Sequence, residues 1–227
     1  MVVGNGLIAK AFKSYLEKDD VIIFASGVSN SSISEEESLS FQREKDLINE
    51  YLKYGDKKLI YFSTCSISDN SKVTPYIKHK IEMEKLIESN HNNYLIFRLP
   101  IVIGISDNNN TFFNNIKSKI LRNEIITIYK NISRYIIDVD DLSNILPTFI
   151  ESDKNRIINV CFNNKEFVFN IIETMENILS KKCDKIFKDI GYNSDIDNEY
   201  FVSKLESINY KFDINYNANL LKKYCIK

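Results

Sequence analysis

The chain has 227 residues, enough for one sizeable α/β domain or for one domain with a small C-terminal appendage, and too few for two large independent domains. Apolar residues make up 44% and charged residues 27%, the balance of an ordinary soluble globule, which excludes a disordered or fibrous chain. A formal net charge of -1 supplies no whole-molecule field to draw the protein to nucleic acid or to an anionic membrane.

Short β-rich runs alternate with longer stretches of helical period, the sequence form of βαβ units around a parallel sheet. "MVV" is a short first strand. "GLIAKAFKSYLEK" is expected to be a helix with Leu7, Ile8, Ala11, Phe12 and Leu16 toward the sheet, and "VIIFAS" is the second strand. The stretch from Ser34, its expected N-cap, to Gly55 reads as a helix with acids in its first turn. "KLIYFST" is the third strand. "YIKHKIEMEKLIESN" is helical, with Ile77, Ile81 and Leu86 among its apolar positions, and "YLIFRLPIVIG" is read as a fourth strand running into a loop. Beyond it come a helix in "TFFNNIKSKILRN", a strand in "EIITIYK", a helix in "DDLSNILPTFIES" and a strand in "RIINVCF". The last third is a helix from "EFVFNIIETMENILSKK", a polar extended stretch and the short ending "NANLLKKYC". No linker rich in Pro, Gly or Ser and no internal repeat interrupts this pattern.

Cys65, Cys161, Cys183 and Cys225 lie far apart, with no Cys-x-x-Cys and no His at ligand spacing, so neither a disulfide framework nor a metal site is expected. A reducing cytoplasm fits best. No apolar run approaches the roughly 20 residues of a membrane span, and no signal peptide is recognisable, so no membrane partner is expected.

Three features carry chemistry. Gly4-Asn5-Gly6-Leu7-Ile8-Ala9 follows a strand and opens a helix: Gly4 permits a tight turn, Gly6 admits a pyrophosphate to the backbone, and Ala9 allows close helix–strand packing. The competing reading is a turn that needs small residues for its own sake. Tyr76 and Lys80, four apart on a helix, share one face, so an ammonium could lower a phenol's pKa and orient a bound ribose while the phenol serves as acid or base. The pair taken alone also fits a solvated helix face. Ser63 and Thr64, ending the third strand, would sit at the carboxyl edge of a parallel sheet, where ligands bind in open α/β folds, or would cap a loop. His79 is expected to point away from Tyr76, and His91 lies in an Asn-rich turn, so neither is a candidate base. All three features fall in order on elements that converge on one edge.

With those residues in place, the chain resembles a shortened member of the extended short-chain dehydrogenase/reductases, in the NAD-dependent epimerase/dehydratase family that modifies nucleotide sugars. "GNGLIAKAF" matches the cofactor turn, "IFASGVSNS" the strand beside the cofactor, "YFSTCSISD" the hydroxyl-bearing strand and "YIKHKIEMEKLI" the Tyr/Lys helix. "FRLPIVIG" and "RYIIDVDDLSNIL" match the segments that follow. The resemblance implies a Rossmann-like, doubly wound α/β fold that has lost one strand-helix-strand unit, with residues 1–150 forming the cofactor-binding region and 151–227 a small C-terminal substrate-side region. It implies NAD or NADP as cofactor, held by Gly4, Asn5, Gly6, Leu7, Ile8, Ala25, Ser26, Gly27, Tyr76, Lys80, Pro100 and Ile103. Thr64 and Tyr76, with Lys80 as electrostatic partner, would be catalytic, and Thr64, Cys65, Ser66, Tyr76 and Arg134 would meet the nucleotide sugar. Arg134 also fits a surface arginine capping the next strand. Asp138, Asp140 and Asp141 are read as strand-end and N-cap residues, and Cys65 as a small packing residue. Relatives dimerise through two helices per chain, here 34–54 and 76–89.

The chain departs from its family where a second strand, a helix and a third strand would normally precede "VIIFAS". The residue that chooses between NAD and NADP at the adenosine ribose goes with them. Two functions follow: a reductase of a 4-keto nucleotide sugar, ahead of an epimerase, or a degenerate protein that binds a nucleotide sugar or partner without turnover.

Overall fold

A computed structural model describes residues 1–30, 39–69, 74–189 and 195–226. These residues fall into two compact units, Met1–Leu99 with Val139–Val160 and Pro100–Asp138 with Cys161–Lys227. The chain passes between the units three times, so no single cut in the sequence separates them.

In the first unit, strands β1 (Val2–Val3), β2 (Val21–Phe24), β3 (Lys58–Thr64), β4 (Tyr94–Leu99) and β9 (Arg156–Asn159) form one sheet in the order β1-β2-β3-β4-β9. Every pairing in it is parallel. All four residues of β2 and six of the seven in β3 are buried, which is why these strands read as continuous apolar runs rather than as alternating ones. Helices α1 (Leu7–Ala11), α2 (Leu39–Tyr51), α3 (Pro75–Asn90) and α5 (Val139–Ser152) wrap the sheet, α1 packing with α5 and α2 with α3. Ile22, Phe24, Ile48, Leu59, Tyr61, Met83, Ile87 and Ile96 close the core between β-strands and the α2/α3 pair. Each such side chain contributes about 1.5–3 kcal/mol of burial. The result is a doubly wound Rossmann-like sheet, shortened at β1, which has no strand beyond it among the described residues.

Three local differences from the sequence reading have clear causes. The first helix ends at Phe12 and continues as a 3-10 turn over Lys13–Tyr15. Three residues per turn eclipse Phe12 and Tyr15, so both are buried in ring contact at 6.0 Å while Leu16 is turned out to solvent. The run "YLIFRLPIVIG" is two strands, because Pro100 has no N–H to continue the ladder. Ile101 donates its N–H to the Tyr135 carbonyl instead, opening β5 (Ile101–Ile103) in a different sheet. The expected N-cap Ser34 lies outside the described residues, and the helix it was to open is described from Leu39.

The second unit is built from three two-stranded pairings around helices. Strand β5 pairs in parallel with β8 (Ile136–Asp138), β6 (Ile126–Tyr129) in parallel with β11 (Lys185–Lys188), and β7 (Ser133–Arg134) antiparallel with β10 (Glu166–Phe167). Helices α4 (Phe112–Arg122), α6 (Val168–Leu179) and α8 (Tyr216–Cys225) enclose Ile103, Phe113, Ile120, Ile128, Met175 and Leu221. The polar stretch expected to be extended contains β11 and helix α7 (Glu199–Ser207), anchored by the buried pair Phe201 and Leu205 at helical spacing. Among the described residues no helix is long and apolar enough to cross a membrane.

Candidate active site

Parallel pairing of β1, β2 and β3 brings their carboxyl ends to one edge of the first unit. At the end of β1, Gly4 has a φ of +117°, and a Cβ there would lie 2.5 Å from the Ala25 carbonyl oxygen, so only glycine fits. Gly6 differs in kind. Its φ of -75° and ψ of -170° are open to any residue, and nothing lies within 4 Å of a Cβ placed on it. Its own fold therefore gives no reason for glycine, and the open space above its backbone is what a pyrophosphate would need. Asn5 is exposed beside it, and Leu7 and Ile8 are half-buried.

At the end of β2, Ala25 donates its N–H to the Val3 carbonyl at 2.8 Å, extending the β1–β2 ladder by a residue. Arg43 of α2 reaches Ser26, donating to its hydroxyl at 3.0 Å and to its carbonyl at 2.9 Å. A Cβ on Gly27 would lie 2.7 Å from Lys80 Nζ and 2.9 Å from Glu44 Oε1, so this backbone lies close over that pair.

At the end of β3, Thr64 caps the 3-10 turn Cys65–Ser68 by accepting from the Ser66 N–H at 3.1 Å. The Thr64 hydroxyl also lies close enough to the Tyr76 phenol to favour its ionised form. Ser66 is exposed, and the buried Cys65 thiol donates to the Arg98 carbonyl at 3.0 Å. Thr74 caps α3 by accepting from the Ile77 N–H, and Pro75 occupies the first helical position. That start puts Tyr76 in the first turn and Lys80 one turn later, with both side chains buried. Burial pushes the Tyr76 phenol up to about 12, the Thr64 hydroxyl opposing this and the Glu44 charge adding to it.

Lys80 is not aimed at open space. It is 2% exposed and donates to Glu44 Oε1 at 2.9 Å, to the Tyr61 hydroxyl at 2.9 Å and to the Phe62 carbonyl at 3.5 Å. An ammonium has three protons, and all three are engaged within the protein. Glu44, 0% exposed, is equally saturated. Its Oε1 also accepts from Tyr61 at 2.6 Å, and its Oε2 accepts from the Val28 N–H at 2.6 Å and from His79 Nε2 at 3.0 Å. Burial alone would raise the Glu44 carboxyl; Lys80, then the bonds from His79, Tyr61 and Val28, overcome it and hold the group at about 2. Burial lowers Lys80, with Glu44 opposing, and burial and Glu44 together raise Tyr61.

The structure thus brings Thr64 and Tyr76 together, and it joins Lys80 directly to Glu44 and Tyr61, with His79 on the other Glu44 oxygen, three residues to which the sequence reading gave no role in the site. Their signal is present in the helical period. Glu44 falls four residues before the fully buried Ile48, on the apolar stripe of α2. His79 is buried and stacks on Phe41 at 4.5 Å.

Pro100, Ile103 and Arg134 belong to the second unit. The Ile103 side chain sits in that unit's core, and the residue pairs with Asp138 in the β5–β8 ladder. Arg134 is half-buried and donates to the Ser133 carbonyl at 2.9 Å. Asp138 ends β8 and accepts from Lys223 at 2.7 Å and from Tyr224 at 2.8 Å, while Asp140 and Asp141 lie in the first turn of α5.

A doubly wound parallel sheet with this glycine turn and a Thr/Tyr/Lys set along its carboxyl edge defines a short-chain dehydrogenase/reductase of the extended class. Residues 3–161 match the NAD dependent epimerase/dehydratase family, and the chain belongs to it. Several solved structures share the fold. A UDP-N-acetylglucosamine 4-epimerase from Methanobrevibacter ruminantium, in complex with UDP-N-acetylmuramic acid, is 20% identical with a TM-score of 0.67, over 98% of this chain and 80% of that one. A UDP-glucuronic acid 4-epimerase from Bacillus cereus, in complex with UDP-glucuronic acid and NAD, is 18% identical with a TM-score of 0.70, over 98% and 79%. The Thermus thermophilus UDP-glucose 4-epimerase in complex with NAD is 13% identical with a TM-score of 0.70, over 98% and 83%. No curated protein sequence matches the chain.

Proposed function

We propose that the protein is a NAD(P)-dependent oxidoreductase of a nucleotide-activated sugar, with reduction of a 4-keto sugar ahead of epimerisation. The observation that carries this reading is the Tyr76 phenol, buried near Thr64 of the carboxyl end of β3 and held protonated at neutral pH. A phenol that keeps its proton is a donor to a developing alkoxide, which is the direction of carbonyl reduction. Thr64 orients the keto oxygen, and Tyr76 Oη gives it the proton. The dinucleotide, when bound, supplies hydride to the carbonyl carbon. Gly4, Asn5, Gly6, Leu7, Ile8, Ala25, Ser26 and Gly27 would carry its pyrophosphate side, with Pro100 and Ile103 toward the nicotinamide. Cys65, Ser66 and Arg134 would meet the substrate. The UDP-sugar and NAD complexes of the similar structures support both ligand classes. An easily exchanged cofactor, expected where the adenosine shelf is lost, suits a reductase better than an epimerase that must retain it through a cycle.

Lys80 fits less well than its motif suggests. A ribose hydroxyl would have to displace one of its three acceptors. That engagement, with the lost adenosine shelf, is what favours the second reading, a protein that binds a nucleotide sugar or partner without turnover. A cytoplasmic homodimer through 34–54 and 76–89 belongs to the same proposal, and only monomer in light scattering at micromolar concentration would count against it.

Titration with NADH and NADPH, followed by nicotinamide fluorescence, and then assay against nucleotide sugars and their keto forms, tests the reading. It expects binding, and turnover that Tyr76→Phe lowers by about 10²–10⁴-fold. Binding without any turnover selects the second reading, and no binding at millimolar dinucleotide removes the first.

A further inference from the structure

We propose that Glu44 is a positioning residue of this site. From inside the fold it anchors Lys80, His79 and the Val28 backbone, so that Tyr76 shares its buried surroundings with a closed ion pair rather than a bare ammonium and is committed to donating a proton. The inference rests on Tyr76 being the acid.

The geometry is complete without any ligand. Glu44 gathers four groups from three other segments: the Val28 N–H following β2, Tyr61 from β3, and His79 and Lys80 from α3. A carboxylate has about four acceptor sites, and four donors fill them. His79 must carry its proton on Nε2, because an ionised carboxylate only accepts. The other charges nearby are committed elsewhere. Glu84 of α3 is paired with Arg98 of β4 at 2.6 Å, Lys45 of α2 with Glu82 of α3, and Arg43 with Ser26. The Glu44 charge therefore meets Lys80 directly, and Val28, whose N–H it holds, packs with Tyr76 in one buried apolar cluster, so the same charge opposes ionisation of the phenol.

A helix-borne Tyr/Lys pair is ordinarily read as an ammonium activating a phenol. Here a third group intercepts the ammonium. Gly27 seals the arrangement, since its backbone leaves no room for a Cβ above Lys80 and Glu44. The loop that follows β2 is thereby tied to the acid through one carboxylate.

Ultraviolet difference titration of the full chain at the tyrosinate band reads Tyr76 directly, as wild type minus Y76F and as E44Q minus E44Q/Y76F. It needs neither cofactor nor substrate. In E44Q the Tyr76 phenolate should form at a lower pH than in the wild type. E44D, which keeps the charge, should return it toward the wild-type position. If E44Q does not fold, K80M, which leaves the Glu44 charge without its counter-ion, should raise the pH at which the Tyr76 phenolate forms, read as K80M minus K80M/Y76F. An unchanged Tyr76 titration in whichever of E44Q and K80M folds overturns the role of Glu44. Failure to bind NADH or NADPH overturns the oxidoreductase reading instead and leaves the titration result standing.

Discussion

Among the described residues two buried glutamates meet a lysine, and they do different things. Glu176, near the end of α6, takes Lys185 Nζ on both oxygens at 2.7 Å and the Cys183 N–H at 2.9 Å. Its partners lie seven and nine residues away, returned by a turn in which Ser180 adopts the left-handed conformation. That is a local staple of the second unit, tying β11 back to α6. Glu44 reaches partners 16 to 36 residues away on three other segments. In both, burial works against the carboxylate and the lysine favours it. The chemistry of the pair is the same, so a buried Glu–Lys contact does not by itself mark a functional site. What distinguishes Glu44 is the company it keeps: the loop after β2, and the field at Tyr76.

Truncating each carboxylate should break this symmetry most visibly. In Glu44→Ala the Lys80 ammonium, whose side chain is 3% exposed, has no route to water, and such unpaired buried charges cost about 3–5 kcal/mol. Lys185 keeps 15% of its side chain exposed and can rehydrate, so Glu176→Ala should cost only about 1–3 kcal/mol. Urea unfolding followed by circular dichroism measures both. Equal losses would show the two pairs to be the same kind of staple.

The acid limb of stability sharpens the contrast. The Glu44 carboxyl is depressed from its ordinary 4.5 to about 2 in the folded protein, so its stabilisation is fully present above pH 4.5 and is lost as pH falls toward 2. Two and a half units correspond to roughly 3 kcal/mol. Glu44→Gln should flatten that part of the stability–pH curve measured by urea unfolding between pH 5 and 2. A Glu44→Gln curve as steep as the wild type's would mean that other carboxylates drive acid unfolding.

The fold was largely legible because its strands are buried on both faces and its first turns carry distinctive residues. Strand β3 was read to the residue, and α3 to within one, its start falling at Pro75 rather than Tyr76. The misreadings occur where tertiary context overrides local period. Phe12 and Tyr15 pull the end of the first helix into a tighter turn, and Pro100 hands a continuous apolar run to a second sheet. Helix α7 was missed because only two of its side chains are buried. Within the site, Thr64, Tyr76 and Lys80 were visible as motif residues, whereas Glu44 was not. A glutamate on a polar helix looks solvated until the stripe that it shares with Ile48 is recognised.

The smallest structural effect is expected at the turn where the chain's function is most exposed to test. Gly4 and Gly6 stand two residues apart in one motif, yet only Gly4 is required by the protein's own backbone. Gly4→Ala forces a side chain into positive φ against the Ala25 carbonyl and should cost about 1–3 kcal/mol. At Gly6 the conformation is ordinary and the space is free, so Gly6→Ala should change stability by less than about 1 kcal/mol, with loss of unfolded-state entropy favouring the variant. If Gly6 is kept small for a pyrophosphate, the same alanine should weaken NADH or NADPH binding at least tenfold by nicotinamide fluorescence while thermal unfolding stays put. A dinucleotide that binds Gly6→Ala as tightly as the wild type is not lying across this turn, and the glycine pattern would then belong to the fold's ancestry rather than to its present chemistry.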